Sequence, residues 1–427
     1  MKSLLLVGAV LAVAILGASS SGSPSAAASL SPTAVLDWNQ TAVTTVRSAT
    51  PAKFQPEGLL YMSYVQAAVY DAVTKIEGRY APYHDFAIDP GVVAEASPDA
   101  AVAAASYVSL AYYFPAQAAA LTTTYDAYLA GLPGEGKAEG IEVGEAAAGD
   151  LIAVRLNDGR DGPSDPGLGL GELMPGVWQV VPPATSAQTP WLASTRPFIL
   201  GSASQFRADP PPALASSEYA EQVNEVKAYG ALDSAVRSPV QTAVAYFWNG
   251  NAINQYNLAF RDLASEHGYD RVDAARALAM GNLVGTDALI GCWESKYRYL
   301  FWRPFTAIRH ADIDGNPATE ADPTWLPLVN TPNHPEYPSA HGCLTGAEAE
   351  VFSSLLGTNR IDVKIWGGEN GATTLTTTRR FEKVNDLVRD IENARVWIGF
   401  HYRGSVEAGV ALGRKVAKYD LRHAFHQ

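Results

Sequence analysis

Basic charge is in short supply in this chain. Thirty-one Lys and Arg stand against 44 Asp and Glu, a formal net charge of −13, which argues against nucleic acid or an anionic membrane surface as a partner. It does not exclude a local basic pocket. Strand-like alternation is equally scarce. Alanine-rich stretches with helical spacing dominate, and the expected class is all-α. Cysteine is rarer still, with only Cys292 and Cys343. Neither lies near the N-terminus, which excludes a lipoprotein anchor there. Long apolar runs are confined to Leu4–Gly17, too short to span a bilayer. With Lys2 before it and small residues from Ala18 to Ala28 after it, this run reads as a secretory signal peptide over residues 1–28. The expected location is therefore secreted or periplasmic, with no membrane attachment after cleavage.

What the chain does have is length and apolar content, 427 residues at 47% hydrophobic, enough for a large core. The pattern predicts an N-terminal helical region over 33–230 and a second helical bundle over 231–427. "GLLYMSYVQAAVYDAVTKIEG" is an amphipathic helix stopped by Gly78. Ser97-Pro98 opens another, Phe114-Pro115 breaks it, and 137–156 forms a fourth. Residues 157–215 are rich in Gly and Pro yet contain Trp178, Trp191 and Phe198, so this stretch is expected to pack over the domain surface. Later helices are expected from Ser217 to Gly230, from Ser238-Pro239 to about Ala264, from the cap Asp270 to about Trp302, and over 342–356, 379–397 and 404–418. Asn39-Gln40-Thr41 fits a glycosylation acceptor, a triplet common by chance.

Three segments carry candidate chemistry. In "WESKYRYLFWRP", Lys296 and Arg303 are seven apart, nearly two turns of one helix that Pro304 would end, roughly 10 Å along the axis. A solvated basic face is the plain alternative. Trp293, Tyr297, Tyr299, Phe301 and Trp302 favour burial, and a buried Lys and Arg need an acidic partner. In "HPEYPSAHG", three prolines forbid regular structure until Ser339. Ser339, Ala340 and His341 then sit at a helix N-terminus, where unpaired N–H groups favour an anion. Ser339 could instead be only a cap. In "ENARVWIGFHYRGSVEAG", Arg395 and His401 would lie about 120° apart on one helix, so a break near Gly399 is expected to bring both to one pocket. Taken alone, His401 could be a core histidine, and Arg395 could pair with Glu392 or Asp390. Together the segments predict a site for a tetrahedral oxyanion, with one histidine as nucleophile or ligand and another as acid/base.

Lys296 with Arg303-Pro304, then Pro338-Ser339-Ala340-His341, then Arg395 with His401, resembles the three-part signature of the vanadium-dependent haloperoxidase and type 2 phosphatidic acid phosphatase superfamily. "QAAVYDAVTKIEGRYAPY" and "RPFILGSASQFRADPPP" are similar to segments of its exported haloperoxidase branch. The resemblance implies a helical bundle with long loops and a vanadate cofactor, whose site phosphate could also occupy. It implies oxyanion binding by Lys296, Arg303, Arg395, Ser339 and the Ala340 N–H. His401 would be the vanadium ligand and His341 the acid/base, with Lys296 polarising bound peroxide. Trp293 falls where haloperoxidases carry a pocket tryptophan. His334 falls where bromoperoxidases carry histidine, which implies bromide or iodide over chloride. Hydrogen peroxide, halide and a small organic molecule would be the partners. Two positions depart from the family: Ala340 stands where Gly is usual, and Ser405 where Asp is frequent, so His401 is expected to be less strongly oriented. An acid phosphatase using the same residues through a phosphohistidine is the second reading. A non-catalytic phosphate- or vanadate-binding protein is the third. Cys292 and Cys343 lie beside the motifs, and the sequence leaves open whether they form a disulfide or stay as buried thiols.

Overall fold

The computed structural model describes residues 31–162, 165, 167–369 and 374–427. The expected signal peptide, 1–28, lies outside the described residues. The first half holds helices α1 (Thr33–Arg47), α2 (Gln55–Glu77), α3 (Pro90–Glu95), α4 (Pro98–Tyr113), α5 (Ala118–Gly131) and α6 (Lys137–Val154). The second holds α7 (Ser217–Tyr229), α8 (Pro239–Phe247), α9 (Ala252–Glu266), α10 (Arg271–Tyr299), α11 (Pro304–Arg309), α12 (Ala340–Leu356), strands β1 (Val363–Gly367) and β2 (Thr377–Phe381), α13 (Val384–Trp397) and α14 (Arg403–His423). The class is all-α, as expected, with one small antiparallel hairpin. None of the described helices is long and apolar enough to cross a membrane.

Local chemistry sets most helix starts. Ser97 accepts from Ala100 N with Pro98 in the first turn, Ser238 forms a capping box with Gln241, and Asp270 accepts from Asp273 N. Helix α10 is buried over most of its length and packs against α2, α12 and α14. One apolar core takes in both halves of the chain. The loop over 157–215 is packed, as its aromatics predict: Trp178 and Phe198 are buried. It is pinned by Asp287 of α10, which accepts from Phe198 N, Ile199 N and Leu200 N at 2.6, 2.7 and 3.0 Å. A disulfide joins Cys292 of α10 to Cys343 of α12. Helices α12 and α14 meet backbone to backbone. A Cβ placed on Gly413 would fall 1.9 Å from the Cys343 carbonyl oxygen, and one on Gly346 would fall 2.5 Å from that of Val410.

Four expectations are corrected. Helix α10 stops at Tyr299, not near Trp302. Leu300 turns to φ 48°, and the long loop captures the emerging chain through Trp178 N to Leu300 O (2.6 Å) and Trp302 N to Gly176 O (3.1 Å). The helix expected from Ser238 to Ala264 is two helices, α8 and α9, because Asn251 caps the second by accepting from Asn254 N. The helix expected from 379 begins at Val384, after a hairpin whose strand β1 alternates buried and half-buried residues. Asn39 is buried and bonded to Asn257 and Arg261, so no glycan can be attached there.

Candidate active site

The three motifs converge beneath one cavity. Lys296, in the last turn of α10, is fully buried, and its Nζ donates to the carbonyls of Pro335 (2.8 Å) and Glu336 (3.0 Å). Arg303 is not on that helix, contrary to the seven-residue spacing argument. It is the N-cap residue of α11, brought back by the turn at Leu300. Its Nε donates to His334 O (2.9 Å), and its Nη1 to Phe400 O (2.9 Å) and to His401 Nε2 (3.2 Å). The buried Lys and Arg thus meet carbonyl and imidazole acceptors directly, not the carboxylate that burial alone suggested. Helix α13 ends at Trp397 and Gly399 takes φ 84°, so the expected break is present and returns His401 toward Arg395. Arg395 does not pair with Asp390 or Glu392. Its Nη1 donates to Trp248 O (3.0 Å), a carbonyl at the C-terminal end of α8.

Ser339 is the N-cap of α12. Its Oγ accepts from Gly342 N (3.4 Å) and its own N–H donates to Ser405 O (2.9 Å). Ala340 and His341 follow in the first turn, whose N–H groups have no acceptor within the helix. Both line the cavity, together with Trp293, His334, Arg395, His401 and the polar Gln55 and Asn249, while Phe54, Leu59, Ile253, Leu344 and Phe400 supply much of its apolar wall. Arg303 reaches this lining through His401 Nε2 (3.2 Å). The His334 ring packs against Trp293 (centroids 5.0 Å apart) and Phe54 (5.7 Å), which also contact each other (6.2 Å). The cavity holds about 80 Å³. That leaves room for one tetrahedral oxyanion.

One residue was missed although it lies inside the quoted "HPEYPSAHG". Glu336 is fully buried, and its Oε1 accepts from His401 Nδ1 (2.9 Å) and Tyr402 N (3.1 Å), while Ser405 Oγ donates to Oε2. The weak orientation expected of His401 from Ser405 is therefore corrected: a carboxylate holds its ring, supplied from the other side. The available signal was a glutamate locked between two prolines that exclude regular structure.

Charge dominates the site. Burial, then repulsion from Arg303, holds Lys296 well below the ordinary lysine range. Burial lowers Arg303 to about 10, and burial plus Arg303 lowers Arg395 to about 9. Both arginines stay charged at neutral pH. Burial and the neighbouring cations hold His334, His341 and His401 well below the usual imidazole range, so all three are neutral. Burial pushes Glu336 up to about 7, against the opposing pull of Ser405 and the cations. Two buried nitrogens in this ring, Arg395 Nε and His341 Nε2, have no partner.

These features fit an oxyanion such as vanadate. With Nδ1–H donated to Glu336, His401 Nε2 keeps a lone pair toward Arg303 and the cavity, as a ligand nitrogen requires. An orphaned donor and excess positive charge are what an anion would satisfy. Among the described residues no group of three or more His, Cys, Asp or Glu forms a cage for a bare cation.

Comparison with known proteins agrees with this geometry. Residues 276–427 match the family model of the VCPO second helical-bundle domain. The chain is 30% identical over 243 residues to the vanadium chloroperoxidase of Curvularia inaequalis, covering 49% of this chain and 39% of that protein. It thus spans about two fifths of that relative. Among solved structures, a bacterial vanadium-dependent iodoperoxidase superposes with TM-score 0.76 at 20% identity, covering 93% of this chain and 97% of that one. The apo form of a bacterial vanadium-dependent chloroperoxidase superposes with TM-score 0.69 at 19% identity, covering 89% and 98%. Residues 276–427 are thus similar to the VCPO second helical-bundle domain, and the fold as a whole is similar to that of bacterial vanadium-dependent haloperoxidases.

Proposed function

We propose that this chain is an exported vanadium-dependent haloperoxidase that oxidises bromide or iodide with hydrogen peroxide to a hypohalous-acid-type product. The observation that carries this reading is the set of buried cations, one with an unpartnered Nε–H, around a single histidine whose Nδ1 is held by Glu336 and whose Nε2 meets Arg303 beside the cavity. Vanadate would be held by His401 Nε2, Arg303, Arg395, Lys296, Ser339 Oγ and the Ala340 N–H. When bound, it supplies Lewis acidity toward peroxide without a change of metal oxidation state.

The chain's own groups do the rest. The two arginines place fixed positive charge, and Lys296 a further buried donor, where negative charge gathers. His341 is neutral with a vacant Nε2 facing the cavity, so it can take the proton that peroxide loses there. His334 is neutral and clusters with Trp293 and Phe54, which gives a soft, polarisable wall suited to a large halide. The Cys292–Cys343 disulfide supports an oxidising location.

The test is bromination of a dye by the exported protein given vanadate, peroxide and bromide, run beside hydrolysis of an aryl phosphate without vanadate. Bromination and iodination, lost in His401→Ala, are expected. Phosphate release alone would select a phosphatase using His401 as nucleophile. Tight anion binding with neither activity would leave a binding protein. His334→Phe should shift the bromide-to-chloride ratio of kcat/KM toward chloride.

A further inference from the structure

Glu336 bonds to several parts of the site without lining the cavity. Its N–H donates to Phe301 O (2.9 Å), in the segment that turns Arg303 back. Its carbonyl accepts from Lys296 Nζ (3.0 Å). Its carboxylate takes His401 Nδ1 and Tyr402 N on one oxygen and Ser405 Oγ on the other. Ser405 closes the circuit, since its own carbonyl accepts from Ser339 N (2.9 Å) at the start of α12. One residue therefore ties α10, the Arg303 turn, α12 and the His401 loop together. Its carboxylate is the one that the described bonds bring to this set of cations and histidines.

A neutral imidazole has one N–H and one lone pair, and the hydrogen bond made by one nitrogen decides the character of the other. When ionised, Glu336 is acceptor-only, and at 2.9 Å its carboxylate demands a proton on Nδ1. The lone pair is then on Nε2, beside Arg303 and facing the cavity. Two donors from the following turn, Tyr402 N–H and Ser405 O–H, fix the carboxylate. We propose that Glu336 is the positioning residue of this site: with Ser405 as its anchor, it selects the Nδ1–H tautomer of His401 and so presents Nε2 as the anion's ligand. Ser405 lies within hydrogen-bonding reach of the same carboxylate, so an aspartate there would place its charge in nearly the same spot.

This inference rests on the oxyanion reading of the cavity, and its test separates the two. Protein labelled with ¹⁵N-histidine reports the His401 tautomer directly, with His401→Gln used for assignment, and vanadate and inorganic phosphate titrations report affinity. Wild type should show Nδ1 protonated and Nε2 bare before any anion is added. Glu336→Gln, which keeps side-chain shape and two acceptor contacts, should lose about 10- to 100-fold in vanadate affinity. Glu336→Ala should lose more and show a mixed tautomer signal. Combining Glu336→Ala with Ser405→Asp should restore the Nδ1–H signal and most of the affinity. A merely structural role would lower the melting temperature without moving the tautomer, and would not be rescued by the relocated carboxylate. Unchanged tautomer and affinity in Glu336→Gln and Glu336→Ala would overturn the proposal. The expected tautomer and rescue in a protein that does not halogenate would support it while refuting the haloperoxidase reading.

Discussion

Helix α10 buries two charges nine residues apart, Asp287 and Lys296, and the protein treats them in opposite ways. Around Asp287 the fold is self-sufficient. Three backbone N–H groups from the long loop satisfy the carboxylate. The buried Asp420 of α14, whose oxygens have no donor, can settle its cost by keeping a proton, because burial and the Asp287 charge push it far above the ordinary carboxylate range. Around Lys296 the lysine can ease its own cost by losing its proton, as its lowered range allows, but its neighbours cannot. Arg303 and Arg395 remain above neutrality even after lowering, so they cannot shed their charge at working pH. Arg395 Nε and His341 Nε2 are left without partners. A buried acid can neutralise itself; a buried guanidinium has to find an anion. That asymmetry separates a structural charge from a functional one on a single helix.

The contrast breaks most visibly at the cationic end. Arg395→Ala should weaken vanadate binding by roughly 100-fold or more, since truncating one member of a buried charge set costs about 3–5 kcal/mol. Saturating vanadate should raise the melting temperature of wild type and leave the variant's nearly unchanged, by scanning calorimetry at matched ionic strength. Between the two ends lies the Cys292–Cys343 bridge, which closes a loop of 51 residues. Its removal by paired Cys→Ala substitution should cost about 4 kcal/mol in a urea titration, and should weaken the anion site as well if the bridge holds α10 against α12.

At the acidic end, Asp287→Asn should cost about 2 kcal/mol by leaving loop N–H groups poorly matched, with little change in vanadate affinity. Loss of affinity comparable to Arg395→Ala would show the two ends to be one unit. The smallest effect concerns pH. Asp287 and Asp420 both have folded-state values raised by burial, so the folded protein holds protons that the unfolded chain releases near pH ~3.9. Their contribution is complete below that value and is lost as pH rises through the raised folded values. Asp420→Asn should therefore be more stable than wild type by a margin that widens from about pH 5 to about pH 9 in thermal melts. A constant margin would remove the shared burial penalty from the account.

Much of the helical frame was legible because capping is local. Ser97-Pro98, Ser238-Pro239 and Asp270 announce helix starts with chemistry confined to four residues. Helix ends set by distant partners were not legible. Leu300 turns early because residues of the 157–215 loop bond to the chain on either side of it, which no local pattern records. The hairpin was hidden because only one strand is strongly patterned. For the site, Lys296, Arg303, Ser339, Ala340, His341, Arg395 and His401 gather as the motifs imply, and so do Trp293 and His334. Glu336 escaped because a lone acidic residue in a proline-rich loop reads as solvated, and its partners His401 and Ser405 lie 65 and 69 residues away.

The bare contact between α12 and α14 has a further consequence. Gly346 is seven residues into the chain after Ser339, about two turns or roughly 10 Å from the cavity, yet no side chain fits there or at Gly413. Any methyl group would pry apart the two helices that fix Ser339 relative to Ser405 and His401. A random-mutagenesis screen for lost activity should therefore return a line of hits along this seam. They would be proteins with ordinary helical content whose reactive groups no longer share one frame of reference.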